Sequence, residues 1–182
     1  MRIVGGAARG RKLVAPEGEG TRPTADRVRE SLFSILMRTV PGARVLDLFA
    51  GSGALALEAI SRGAASAVLV DSDRRAVAAI TCNIETASAS DVVKLIKSDW
   101  RAALSGLNGP FDLVFLDPPY AMLSAYAEAA VALRDRGLLA EGAIIVMEHR
   151  SKDAISAPDG FEIYDERRYG EATLAFVREV RA

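Results

Sequence analysis

The feature of the sequence that most constrains the fold is an alternation of short apolar runs with longer helical segments. Continuously apolar runs are typical of parallel strands that helices cover on both faces. The tail differs, because two strand-like segments flank Gly170 and Glu171 and predict an antiparallel hairpin. We therefore expect an α/β fold with a mostly parallel seven-stranded sheet, helices on both faces and a C-terminal antiparallel hairpin. The predicted strands are residues 45–48, 67–70, 92–96, 111–116, 143–147, 161–169 and 172–180, and the first helix is predicted over residues 25–38.

The N-terminal part of the chain is basic and has a different organisation. Two short β-like pieces, residues 2–4 and 12–15, flank a glycine-containing loop, which predicts a hairpin-like extension over residues 1–20 and one α/β domain over residues 21–182. Up to Arg44 the chain has nine Lys and Arg against four Asp and Glu, whereas the remainder has fourteen against twenty. A basic arm on an acidic body is typical of contact with a polyanion, although a solvated tail has the same composition.

Composition excludes several classes of protein. Half of the 182 residues are apolar, yet no apolar run approaches the roughly 20 residues that a membrane helix needs. The first six residues lack the apolar core of a secretion signal. Cys82 is the single cysteine, which excludes an internal disulfide framework and suits a reducing compartment. We expect a cytoplasmic protein with no membrane partner.

A glycine loop directly follows the first predicted strand and indicates a ligand site. Asp47 ends the strand, and Gly51 and Gly53 open the way to a helix. In a parallel sheet the ligand lies outside the carboxyl ends of the strands, where glycine permits close approach to the backbone. The Asp47 carboxylate is suited to accept a hydrogen bond from a cationic amine. The same loop satisfies the G-x-G-x-x-A pattern of dinucleotide-binding folds, so the pattern alone leaves the ligand open.

Two further acidic residues end the next two predicted strands. Asp71 is twenty residues beyond Gly51 and is placed to bind ribose hydroxyls, either of a nicotinamide dinucleotide or of S-adenosylmethionine. Asp99 follows the third strand and is placed to receive an adenine amine. Each residue has a simpler alternative interpretation as a helix N-cap.

The most informative motif is Asp-Pro-Pro-Tyr at residues 117–120, at the end of the fourth predicted strand. An exocyclic amine on a nucleobase is a poor nucleophile, because its lone pair is delocalised into the ring. The Asp117 carboxylate and the Pro118 carbonyl can accept hydrogen bonds from both N–H groups and thereby localise that lone pair. Prolines stiffen the loop and remove amides, and Tyr120 offers an aromatic face for an extruded base.

Taken together, these motifs resemble those of class I methyltransferases with a Rossmann-like fold. The strings R-G-R-K-L at residues 9–13 and T-R-P-T-A-D-R-V-R-E-S-L-F at residues 21–33, with Arg-Tyr-Gly at residues 168–170, resemble the bacterial RsmD family. That resemblance implies methyl transfer from S-adenosylmethionine to the N2 amine of a guanine in 16S ribosomal RNA. The implied partner is the small ribosomal subunit or its assembly intermediate, and no metal is implied.

The resemblance also implies a role for each candidate site residue. Asp47, Gly51 and Gly53 would contact the amino-acid end of the donor, Asp71 its ribose and Asp99 its adenine. The family commonly has Glu where Asp71 stands in this chain. The target guanine would be held by Asp117, Pro118 and Tyr120, and RNA phosphates would be bound by Arg9, Arg11, Lys12, Arg22, Arg27 and Arg29.

Other functions stay open at this point. A nicotinamide-dependent oxidoreductase explains the glycine loop and Asp71 but leaves the motif at residues 117–120 without a role. A methyltransferase of another RNA or DNA base amine shares the motif. A non-catalytic ribosome-assembly factor on the same fold is the third alternative, since fold does not imply function.

Overall fold

Strands and helices alternate along the chain from Arg44 onward in the computed structural model, which describes residues 1–17, 23–119 and 121–180. The strands are β1 (Arg44–Asp47), β2 (Ser66–Asp71), β3 (Val93–Lys97), β4 (Phe111–Leu116), β5 (Leu139–Arg150), β6 (Phe161–Tyr169) and β7 (Ala172–Glu179). The helices are α1 (Pro23–Ile35), α2 (Ala54–Ser61), α3 (Arg74–Ala87), α4 (Trp100–Ala103) and α5 (Ser124–Asp135). Single 3₁₀ turns follow α1 at Leu36–Arg38 and α4 at Leu104–Gly106.

The seven strands form one sheet in the order β3-β2-β1-β4-β5-β7-β6. The pairs from β3 to β5 are parallel, whereas β7 is antiparallel to both β5 and β6. This arrangement confirms the predicted α/β fold, including the C-terminal hairpin. The strand order reverses between β1 and β4, and ligands bind beyond the carboxyl ends of the strands at such a point.

Side chains of the central strands alternate between two hydrophobic layers. Val45 and Phe115 face the layer formed with α1, α2 and α3, in which the rings of Phe33 and Phe115 lie 6.0 Å apart. Leu46 and Val114 face the opposite layer, formed with α4 and α5. The continuous apolar runs of the sequence arise because both faces of these strands are buried.

Strand β5 is longer than the sequence predicts. Its apolar run covers residues 143–147, but the strand extends over Leu139–Arg150. The extension past Met147 includes Glu148, and it forms because β7 pairs with β5 as far as Arg150. The end of this strand is set by backbone pairing with β7, which the pattern of apolar residues in the sequence does not predict.

In the N-terminal extension the chain folds back on itself. An antiparallel bridge joins Arg2 and Lys12, and the Ile3 amide donates to the Arg11 carbonyl at 3.0 Å. Ile3 and Leu13 are buried in a hydrophobic cluster with residues of α2, so the hairpin packs on the α/β domain. The predicted boundary at residue 20 lies outside the described residues.

A buried carboxylate anchors this hairpin. Glu58 on α2 is fully buried, and its two oxygens accept hydrogen bonds of 2.8 Å from the amides of Val4 and Gly5. The guanidinium of Arg62 donates to the same carboxylate at 2.7 Å, and the Arg29 Nε lies 3.6 Å from it. The hairpin is thus attached by both charged and apolar contacts.

None of the described helices is long and apolar enough to cross a membrane.

Candidate active site

Four acidic residues lie close to the carboxyl ends of β1, β2, β4 and β5, three of them at or just beyond the last strand residue and one within β5, near its end. They are Asp47, Asp71, Asp117 and Glu148. Asp47 pairs in register with Phe115, two residues before Asp117. The sheet thus brings the glycine loop after β1 and the motif after β4 to the same edge, as the sequence predicts.

The glycine loop combines a packing role with an open face. Gly53 has a φ of +76°, and a Cβ added there would meet Leu69 Cδ2 at 2.8 Å, so a side chain would clash with the core. Gly51 has a φ of +54°, and a Cβ there would meet nothing within 4 Å. Both positions favour glycine, but only Gly51 presents its backbone to a space that a ligand can occupy.

Asp71 fixes the position of this loop. Its Oδ2 accepts a hydrogen bond from the Gly51 amide at 2.8 Å, and its Oδ1 accepts one from the Asp73 amide at 2.9 Å. The alternative interpretation of Asp71 as a helix cap is wrong, because Asp73 caps α3 by accepting from the amides of Arg75 and Ala76. Asp71 therefore connects the end of β2 to the loop after β1.

Asp47 is a buried acid with a raised pKa. The pKa of Asp47 is raised to about 7, mainly by burial; a hydrogen bond with the Phe49 backbone lowers it, and the nearby Asp71 carboxylate adds a smaller upward effect. Only 2% of Asp47 is exposed. A cationic group placed beside this pair would stabilise the ionised carboxylate.

Asp99 caps a helix, which is the simpler of its two predicted roles. It precedes α4 and accepts a hydrogen bond from the Arg101 amide at 2.9 Å. The residue is exposed, so its position also leaves the carboxylate accessible. Contact with adenine stays a prediction.

The Asp-Pro-Pro-Tyr motif directly follows β4. Asp117 is exposed at the edge of the sheet, and Pro118 is buried behind it. The carbonyl of Pro119 accepts from the Met122 amide at 2.8 Å, which closes a turn before α5. Tyr120 lies outside the described residues.

Glu148 is a site residue for which sequence reasoning gave no role. The register pairs Leu116 with Met147. Asp117 and Glu148 are the next residues of the two neighbouring strands and therefore lie side by side. The Tyr126 hydroxyl donates to the Glu148 carbonyl and holds the backbone there. The available signal was an acidic residue directly after an apolar run, the same signal that identified Asp47 and Asp71.

The predicted RNA-binding residues fall into separate environments. Arg9 and Arg27 are exposed and line a groove of about 430 Å³ between the N-terminal hairpin and α1. Lys12 is exposed as well, and Arg11 donates at 2.6 Å to both the Thr86 carbonyl and the Ser88 hydroxyl. Arg22 lies outside the described residues.

Arg29 differs from the other arginines of this set. Only 5% of it is exposed, and its Nη2 donates to the Arg2 carbonyl and to Asp26 Oδ1, the latter at 2.8 Å. Its Nε faces the buried Glu58. These contacts correct the expectation that Arg29 binds RNA, because its guanidinium is buried and joins α1 to the hairpin and to α2.

The sheet order, the glycine loop after β1 and the acidic strand ends together define the class I methyltransferase fold. A family model described as conserved hypothetical protein 95 matches residues 1–178. The ribosomal RNA small subunit methyltransferase D of Escherichia coli K12 is 38% identical over 172 residues, which cover 94% of this chain and 86% of that protein. The chain belongs to this family, the RsmD family that the sequence motifs indicate.

Solved structures agree with this assignment. The Escherichia coli protein yhhF superimposes with a TM-score of 0.86 at 33% identity, covering 100% of this chain and 99% of that one. The methyltransferase PaMTH1 of Podospora anserina, solved with S-adenosylhomocysteine bound, has a TM-score of 0.59 at 25% identity. That match covers 69% of this chain and 56% of PaMTH1.

Proposed function

We propose that the protein transfers a methyl group from S-adenosylmethionine to the exocyclic N2 amine of a guanine in small-subunit 16S ribosomal RNA. The observation that carries this proposal is the position of Asp117 and Pro118 at the same edge of the sheet as the glycine loop. The name of the Escherichia coli relative supports ribosomal RNA of the small subunit as the substrate class.

The residues at the ends of β1 and β2 fit the donor. Gly51 leaves space above its Cα for a ligand, and the buried Asp47 beside Asp71 suits a cationic amine. Asp71, which already orients the loop, is assigned to the ribose hydroxyls, and the exposed Asp99 is assigned to the adenine. When bound, S-adenosylmethionine supplies a methyl group already activated by a sulfonium.

The protein's own contribution at the acceptor is to position and activate the amine. The Asp117 carboxylate and the Pro118 carbonyl accept hydrogen bonds from the two N2–H groups, which draws the nitrogen toward tetrahedral geometry. The nucleophile then carries a localised lone pair directed at the donor. Transfer is direct and in line: the N2–carbon bond would form as the carbon–sulfur bond breaks, S-adenosylhomocysteine would leave, and the surplus proton on N2 would pass to the Asp117 carboxylate. Orientation of the two reactants is a main source of the acceleration.

Access to N2 requires the target base to leave its stack. A base extruded from its neighbours is commonly read by its hydrogen-bonding edge while an aromatic side chain stacks on its face. We assign the stacking role to Tyr120. Phosphate contacts are assigned to Arg9, Arg11, Lys12, Arg22 and Arg27, which would contribute affinity and orientation but little sequence information.

The test is methyl transfer from labelled S-adenosylmethionine to unmethylated small ribosomal subunits, followed by nucleoside mass spectrometry. Labelled N2-methylguanosine is the expected product. A different methylated nucleoside would contradict the target and keep the reaction class. Donor binding without transfer to subunits or to free RNA would favour the non-catalytic assembly factor.

A further inference from the structure

Glu148 lies beside Asp117 on the neighbouring strand. The register pairs Phe115 with Val146 and Leu116 with Met147, which places Asp117 level with Glu148. Neighbouring strands are about 4.8 Å apart, so the two backbones are within the span of one purine base. Two carboxyl groups, rather than one, therefore stand at this part of the sheet edge.

The side chains of both residues belong to the same face of the sheet. Phe115 and Val146 pack in the hydrophobic layer that includes α1, and Asp117 and Glu148 are each two residues further along. Because successive strand residues point to opposite faces, a step of two returns to the same face. Asp47 occupies the same face on β1, two residues after Val45.

The surroundings of Glu148 leave its carboxyl without a hydrogen-bonding partner in the described part of the chain. No described residue donates a hydrogen bond to either carboxyl oxygen, whereas the backbone is held by the Tyr126 hydroxyl. Burial raises the pKa of Glu148, and the electrostatic effect of Arg29, with a contribution from His149, opposes that rise. In its ionised form, this half-buried carboxyl with an anchored backbone can accept a hydrogen bond from a ligand.

The order of the strands indicates which part of the base this carboxyl meets. The glycine loop lies on the β1 side of Asp117, and Glu148 lies on the β5 side. Since N2 must face the donor, the remainder of the base extends away from β1 and toward β5. In guanine the atom next to the amine-bearing carbon on the Watson–Crick edge is N1, which carries a hydrogen.

We propose that Glu148 determines specificity by accepting a hydrogen bond from guanine N1–H while Asp117 and Pro118 hold N2. This inference depends on the proposed function. A purine with an unprotonated N1 presents a lone pair to the same carboxylate and is rejected, because two acceptors face each other. The same argument disfavours adenine, whose N1 lies beside its exocyclic amine.

The test uses 2-aminopurine, which retains the 2-amino group but has a lone pair at N1. Small-subunit RNA is prepared with guanine or 2-aminopurine at the mapped target position and assembled into subunits. The ratio of kcat/KM for guanine to kcat/KM for 2-aminopurine is measured for the wild type, Glu148→Gln and Glu148→Ala. Any difference in intrinsic reactivity between the two bases is common to all variants and cancels when their ratios are compared.

The wild type is expected to prefer guanine by at least about 100-fold, since a site that binds an N–H group strongly rejects an analogue without it. In Glu148→Gln the ratio should fall at least about tenfold, because the amide can donate to the N1 lone pair. Glu85→Gln, an exposed change on α3, is the matched control and should leave the ratio unchanged.

If Glu148→Gln keeps a normal melting temperature but loses kcat/KM equally for both substrates, the residue has a merely structural role and the inference is overturned. An unchanged ratio in both Glu148 variants would overturn it as well. If the wild type methylated neither RNA, the proposed function would fail first. That result differs from methylation of guanine without any effect of Glu148, which refutes the specificity role alone.

Discussion

The carboxylate of Asp71 accepts a hydrogen bond from the Gly51 amide at 2.8 Å, so the end of β2 holds the loop that follows β1. One residue thereby shapes the loop and is also proposed to contact the ribose of the donor. Loss of its side chain should therefore affect donor binding in two ways, through the loop and through the lost ribose contact.

We predict that Asp71→Ala weakens binding of S-adenosylmethionine by about 10- to 100-fold, the range expected when charge-assisted hydrogen bonds are lost. Isothermal titration calorimetry measures this effect. Ser72→Ala, an exposed neighbour, serves as the control and should bind normally. A dissociation constant for Asp71→Ala within threefold of the wild type would refute the assignment.

Donor binding should depend on pH through Asp47. Because burial raises the pKa of Asp47 to about 7, the carboxyl is mostly protonated at pH 5 and mostly ionised at pH 8. A cationic donor group favours the ionised form, so the affinity should rise by up to about tenfold per pH unit below pH 7 and level off above it. Titrations between pH 5 and 8 test this, and Asp47→Asn should flatten the profile.

The same residue should destabilise the donor-free protein at high pH. The pKa of Asp47 is about 7 in the folded state against an ordinary 3.8, so the folded protein retains a proton that the unfolded chain releases. The free energy of unfolding therefore falls as the pH rises from about 4 through 7. At pH 8, Asp47→Asn should be more stable than the wild type by on the order of 2–4 kcal/mol, measured by urea denaturation. Equal stabilities at pH 8 would contradict the raised pKa.

Asp117 should affect turnover and leave donor binding intact. Asp117→Ala removes one acceptor for the target amine, and we expect kcat to fall by at least about 100-fold. The dissociation constant of the donor should change by less than about twofold, since Asp117 stands at the β4 side of the site. Asp91→Asn, an exposed change in the loop before β3, is the control. Near-normal turnover in Asp117→Ala would remove the central residue of the proposed mechanism.

Glu58 should be a determinant of stability. Glu58→Ala leaves the buried Arg29 without one of its acidic neighbours and frees the amides of Val4 and Gly5, which should lower the free energy of unfolding by about 3–5 kcal/mol. Glu128→Ala removes an exposed ion pair with Arg101 and should leave the free energy of unfolding nearly unchanged. Comparable losses in the two variants would show that the buried carboxylate is not a special anchor.

The exposed arginines of the groove should contribute to RNA affinity. The double variant Arg9→Ala/Arg27→Ala should weaken binding of small-subunit RNA and reduce the slope of log K against log salt by about 1–2, with unchanged donor binding. A control of equal charge change, Lys94→Ala/Lys97→Ala, alters exposed residues on the edge strand β3. If the two double variants weaken RNA binding equally, the effect comes from the overall charge of the protein and not from a defined RNA-binding surface.

The sequence predicts the sheet well because its central strands are apolar on both faces. Val45 and Leu46 are both buried, one in each hydrophobic layer. A strand buried on both faces needs a continuous apolar run, so the run at residues 45–48 predicts a parallel strand. The placement of Asp47 and Asp117 at one edge follows from the same topology, since parallel strands end together.

The sequence predicts less where a role depends on partners far away in the chain. Arg29 lies in a basic segment, which favours RNA contact, but burial beside Glu58 makes it structural. The importance of Glu148 depends on its register with Asp117, and no local pattern reports that register. Asn83 is similar, because its side chain donates to the carbonyls of both Val14 and Ser52 and thus joins the N-terminal segment to the glycine loop.

The packing of the N-terminal hairpin sets an order on folding during synthesis. Ile3 is buried in one cluster with Leu57 of α2 and with Ala89, which follows α3, and the amides of Val4 and Gly5 bind Glu58. The hairpin therefore lacks part of its packing surface until both α2 and Ala89 have been synthesised. A nascent chain halted before α3 should leave this hairpin open to protease, and one long enough for Ala89 to have left the ribosome should protect it.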